Sequence, residues 1–146
     1  VECQSIDSRF RTSVGDDLWA FPLYILLILI IGIGVFLRVT RLDESLWLDE
    51  LHSAWVVSES WGDIVPRAAQ GNQPPLYFWL VRLVCDTYGV SEPALRAVSC
   101  VSGIGLLPAT FLLVGGWSRS RLAGLTAIAA MAIDTNLLFF AREARA

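Results

Sequence analysis

Lysine is absent from this chain of 146 residues: all eleven basic side chains are arginine, set against fourteen acidic ones for a net charge of −3. With neither a basic stripe nor a basic cluster, the nucleic-acid-binding classes are set aside. Cysteine is scarce and odd in number. Cys3, Cys85 and Cys100 stand at unrelated spacings, which excludes a disulfide framework or a metal knuckle and leaves inert thiols as the expectation. Histidine occurs once, at His52, so no second His or Cys completes a metal set. Charge is sparse as well, at 17% against 55% apolar residues. Mean hydropathy is +0.57, above that of an ordinary soluble domain, and membrane embedding is the simplest explanation. Internal repeats and low-complexity segments are lacking.

What the chain does have is long apolar runs. From Leu18 to Leu37 the sequence is almost uninterrupted hydrocarbon, and about 20 residues rising roughly 1.5 Å each cover the ~30 Å of a bilayer core. The run exits into Arg38-Val39-Thr40-Arg41 rather than a small-residue cleavage site, which favours a signal anchor over a cleaved signal peptide. Further spans are expected over 94–117 and 122–140, joined by the basic turn Ser118-Arg119-Ser120-Arg121. Arginines in a tight loop favour the cytoplasm. Arg38 and Arg41 offset the bias of Arg9 and Arg11 around the first span, so orientation rests mainly on Arg119 and Arg121. The expected fold is therefore an all-α integral membrane protein with about three transmembrane helices. It has a cytoplasmic amino-terminal tail (1–17) and a helical, membrane-associated first external loop (38–93).

Within that loop, Pro75 to Val84 looks like the start of another span. Pro74-Pro75 before it, Arg82 and Asp86 nearby and Gly89 beyond it leave about ten apolar residues, too few to cross and suited to an interfacial helix. Tyr77, Phe78 and Trp79 fit the headgroup level. Asp43, Glu44 and Ser45 are cap candidates before a helix that carries Leu48, Leu51 and Trp55 on one face and Asp49, His52 and Ser53 on the other. A second short helix is expected from Asp63 to Gln70, with Pro66 in its first turn and Gly71-Asn72 as its stop.

Two charged clusters carry the candidate chemistry. Asp49 and Glu50 lie just beyond the first span, where a carboxylate at a water-poor edge can serve as a general base toward an incoming hydroxyl. Arg142, Glu143 and Arg145 follow the third span. With three crossings they share a membrane face with Asp49, and arginines there could neutralise a phosphate leaving group. The plain alternatives are acids on the wet face of an interfacial helix and arginines anchoring a helix end at the headgroups.

Four segments in series, Trp47-Leu48-Asp49-Glu50, Gln73-Pro74-Pro75-Leu76-Tyr77, Glu92-Pro93-Ala94-Leu95-Arg96-Ala97-Val98-Ser99 and Glu143-Ala144-Arg145, resemble the amino-terminal part of GT-C type membrane glycosyltransferases. The similarity is to the bacterial branch related to protein O-mannosyltransferases and lipid A aminoarabinose transferases, and covers residues 18 to 146. It implies transfer of a sugar from a polyprenyl-phosphate carrier to an extracytoplasmic acceptor (protein, lipid or glycan), usually with inversion, by an enzyme of the bacterial inner membrane whose amino terminus is cytoplasmic. By position, Asp49 is the expected base and Glu50 its orienting partner. Arg96 and Arg145 are candidates for the lipid phosphate. Glu143 matches an acid that helps hold a divalent metal in some relatives, so the cofactor stays open and no metal ligand is assigned. The chain departs from the family pattern at Gln73, Val98, Thr135 and Arg142, where relatives show histidine, proline, proline and glutamine. The family builds its donor cavity from more spans, so the resemblance implies a fragment of a longer protein. The rival is a non-catalytic membrane protein, such as a transporter segment or interaction subunit, with a solvated acidic loop.

Overall fold

A computed structural model describes residues 2–40 and 42–144, with side chains from Phe21 onward. Arg145 and Arg41 lie outside the described residues, as do the side chains of Cys3, Arg9 and Arg11. All regular structure in the described part is helical: α1 Glu2–Val39, α2 Leu48–Val56, a 3₁₀ turn Trp61–Asp63, α3 Ile64–Gln70, α4 Pro75–Tyr88, α5 Glu92–Ser118, α6 Arg121–Ile133 and α7 Thr135–Ala141.

Two of these elements are long and apolar enough to cross a membrane, the Phe21–Val39 part of α1 and α5. Their side chains stay outward: Phe21, Ile28, Phe36, Val101, Leu112 and Leu113 are each more than 65% exposed, as expected where hydrocarbon rather than protein is the solvent. α5 turns back into α6 through Arg119, which takes a left-handed φ of 52°, and through Ser120, whose hydroxyl accepts the Ala123 N–H at 3.3 Å. The α5–α6 contact is close because residue 124 is glycine. A Cβ there would lie 3.0 Å from the Phe111 carbonyl oxygen and 2.9 Å from its ring, the small-residue approach typical of packed membrane helices.

The expected third span, 122–140, is not one straight rod. It breaks at Asp134 into α6 and α7, bent by 63°. The Asp134 carboxylate accepts the Leu137 N–H at 2.9 Å, so this side chain starts a new helix in place of continuing the old one. The break leaves α6 carbonyls without helical partners, and Arg38 reaches across from the end of α1 to meet them. It donates to Met131 O at 3.0 Å and Ala132 O at 3.4 Å and is only 1% exposed. Arg142 answers from beyond α7, donating to Leu37 O and to the Thr40 hydroxyl at the end of α1. Arg38 thus places its cation at the carbonyl end of α6 and Arg142 at that of α1, where the helix dipole favours a positive charge.

The loop folds over this bundle around a small core in which Val56, Val57, Ile64, Phe78 and Val81 meet Leu95 of α5 and Ala144 beyond α7. α3 begins at Ile64 with Pro66 in its first turn, and α4 has 14 residues, about 21 Å of helix and short of a bilayer core. In α2 the packing differs from expectation. Leu48, Leu51 and Trp55 form the outer face, at 82%, 50% and 41% exposure, while Glu50 and Ser53 turn inward at 1% each. The buried Glu50–Arg96 ion pair decides that orientation. The helix also starts later than the cap candidates at 43–45. Trp47 is its N-cap, and the Glu50 carboxylate accepts the Trp47 N–H at 3.1 Å.

Candidate functional site

Glu50 is the point where three distant parts of the chain meet. Its Oε1 accepts Arg96 Nε at 2.7 Å and the Ala144 N–H at 2.8 Å, and its Oε2 accepts Arg96 Nη2 at 2.5 Å and the Trp47 N–H. Beside it the Ser53 hydroxyl donates to Ala144 O at 2.5 Å. The peptide after α7 is therefore held at both its N–H and its C=O by one face of α2. Arg96 is equally committed. Beyond Glu50 it donates to Leu42 O at 2.9 Å, Glu44 O at 2.7 Å and Ser45 O at 3.4 Å, which uses all five guanidinium N–H groups. Buried ions are tolerable when paired and fully hydrogen-bonded in this way. Burial raises the Glu50 pKa, but the Arg96 side chain and the Ala144 and Trp47 N–H groups outweigh it, holding the carboxyl below its ordinary value.

Asp49 and Glu50 adjoin in sequence, yet a step of about 100° around α2 sends them to different clefts. Glu50 and Arg96 border a cleft of about 310 Å³ with Glu44, Arg142 and Glu143. Asp49 is exposed and lines a polar cleft of about 440 Å³ with His52, Trp55, Gln70, Gly71 and Gln73. Of the residues expected to act, the structure brings Glu50, Arg96, Arg142 and Glu143 together and sets Asp49 on the next face of the same helix. While the network stands, no N–H of Arg96 is left for a lipid phosphate. Arg142 spends its Nε and its Nη2 on the end of α1. Among the described residues no group of three or more His, Cys, Asp or Glu is arranged to hold a metal ion. Cys85 and Cys100 are buried free thiols.

Family models, curated proteins and solved structures were compared with the chain, and none matches.

Three site features depend on contacts that the local sequence does not report. Arg38 reads as a charge flanking a span, because its acceptors lie more than 90 residues away. His52 is held in the polar cleft between Trp55, with ring centroids 5.6 Å apart, and Phe78, edge-on at 6.5 Å. Its Nε2, like Gln73 Oε1, is buried without a hydrogen-bond partner. A third groove, of about 440 Å³, runs between α4, α5 and α7. Leu106, Leu137 and Phe140 give it apolar walls, and Arg38, Tyr77 and Ser99 line it as well. Tyr77 and Ser99 share a hydrogen bond of 3.0 Å there.

Proposed function

We propose that this chain is part of an integral membrane glycosyltransferase of the GT-C kind, moving a sugar from a polyprenyl-phosphate carrier to an acceptor hydroxyl on the extracytoplasmic side. In this reading α1, α5 and the bent α6–α7 pair are three spans of a bacterial inner membrane, and the amino terminus is cytoplasmic. Asp49 takes the proton of the acceptor hydroxyl as that oxygen attacks the anomeric carbon and the lipid phosphate departs. Glu50 and Arg96 are positioning residues that fix α2, and with it Asp49, against α5 and the segment after α7. Arg142 and Glu143 line the cleft beside Glu50, where the arginine would offset the charge of the departing phosphate.

The observation that carries the reading is the Glu50 clasp, which joins the first loop, α5 and the end of the bent pair and leaves Asp49 exposed beside it at the edge of a polar cleft. The apolar groove between α4, α5 and α7 adds a berth for a lipid chain close to that cleft. Asp49→Asn in the natural protein should abolish sugar transfer in membranes while insertion and thermal unfolding stay unchanged. The rival non-catalytic reading draws on the same network, since a fully satisfied Glu50–Arg96 pair explains half of the acidic motif as architecture. Undiminished transfer by Asp49→Asn would remove Asp49 as the base, whereas no transfer by the unaltered protein would favour that rival.

A further inference from the structure

α6 has 13 residues, a rise of about 20 Å against the ~30 Å of a bilayer core. α7, bent by 63° from it, adds only about 5 Å along the same axis. Polar groups mark both ends. At the start, Arg121 stands 5.9 Å over the Tyr24 ring, close in sequence to the exposed Trp117, and such residues suit the headgroup level. At the finish, Asp134, Thr135 and Asn136 are all exposed, and Arg38 lies level with them through its bonds to Met131 O and Ala132 O. The neighbouring helices repeat the measure. On α1, Tyr24 and Arg38 are about 21 Å apart along the axis. On α5 the same rise of about 21 Å separates Trp117 from Gly103, where a Cβ would lie 3.4 Å from Arg38 Nε. Between the two polar levels Leu122, Thr126, Ala130 and Ile133 form an exposed stripe along α6.

We propose that this edge of the bundle fits a locally thinned bilayer, and that the lipids against the α6 stripe are those with short or kinked acyl chains. The proposal rests on the membrane-spanning part of the function proposed above and on none of its sugar chemistry. A hydrocarbon layer of ordinary depth would cover Asp134, Thr135 and Asn136, and the carboxylate is the costly member of that run. Tilting gives no relief, because it shortens the projection of a span that is already too short. Sliding the bundle along the membrane normal only exchanges one polar end for the other. The bilayer therefore gives way, by up to about 10 Å beside α6. On α1 the apolar run continues past Tyr24 to Phe21, so the depression is confined to the α6 side.

The natural protein in nanodiscs of dimyristoleoyl, dioleoyl and dieicosenoyl phosphatidylcholine, which differ only in acyl length, tests this. Its thermal midpoint should be highest in the shortest lipid and fall by about 5 °C or more toward the longest. Asp134→Asn keeps an acceptor for the Leu137 N–H and removes the charge, so its fall should be about half as large. A nitroxide attached at position 136, with the native cysteines replaced by alanine, should be reached by a water-soluble nickel reagent in all three lipids. A midpoint that is flat or highest in the longest lipid would overturn the proposal, as would equal slopes in wild type and Asp134→Asn. So would a nitroxide closed to nickel, whether hydrocarbon or another protein segment covers it. The two readings fail separately. A protein that alkaline carbonate releases from membranes overturns the membrane reading and the thin edge together, whereas an embedded protein with a flat series overturns the thin edge alone.

Discussion

Replacing Glu50 with alanine removes the partner of a guanidinium that is 3% exposed. Deleting one member of a buried ion pair costs about 3–5 kcal/mol. Arg96 would keep its carbonyl acceptors at Leu42, Glu44 and Ser45, which places the charge penalty near the lower end, about 3 kcal/mol. The Ala144 N–H, also left without an acceptor, adds about 1 kcal/mol. A total of about 4 kcal/mol corresponds to a roughly thousandfold rise in local opening. Amide hydrogen exchange of the protein in nanodiscs should therefore show protection across α2 and at Ala144 falling by about that factor. α6, which makes none of these contacts, should keep its protection. Glu50→Gln retains one acceptor oxygen and loses the charge, and should fall between. A loss of protection under tenfold in Glu50→Ala would refute the claim that this pair holds the loop to the bundle.

The same carboxylate sets a pH dependence. Its folded-state pKa lies below the ordinary value, so its contribution is fully present above the usual glutamate range near pH 4.3. That contribution is lost only as pH falls through the depressed folded-state value, so exchange protection of α2 should be flat from pH 7 to 5 and decline below about pH 4. Arg38→Met orphans the carbonyls of Met131 and Ala132 and should cost about 2 kcal/mol in detergent unfolding. Arg38→Lys should recover only part, since an ammonium lacks the guanidinium fork. Gly124→Ala pushes a methyl group against the Phe111 carbonyl and ring and should destabilise the α5–α6 hairpin by about 1–3 kcal/mol. The thermal midpoint is its readout.

The long elements were legible because apolar runs near 20 residues admit few alternatives, and α3 and α4 because proline and glycine punctuate them. The bend at Asp134 was not, since hydropathy averages over a single carboxylate. Its local signal is the Asp134-Thr135-Asn136 run, a capping residue placed inside an apolar stretch. The facing of α2 was hidden for another reason. Apolar periodicity puts Leu48, Leu51 and Trp55 inward, but the partner that turns Glu50 inward is 46 residues away in sequence, and no local pattern reports it. Asp49 and Glu50 read as one motif in sequence and face two clefts in space. Helical spacing puts His52 on the face of Asp49, but only the tertiary fold brings Gln73, 21 residues further on, into the same cleft.

The central claim is that the first loop and the end of the bent pair meet at one outer face of the membrane. Single cysteines at positions 49, 143 and 119, in a background with Cys3, Cys85 and Cys100 replaced by alanine, can be probed in intact cells with a membrane-impermeant thiol reagent. The account predicts labelling at 49 and 143 from outside, with 119 reactive only after the membrane is opened. Labelling of 49 and 119 from the same side, or of 49 and 143 from opposite sides, would contradict it.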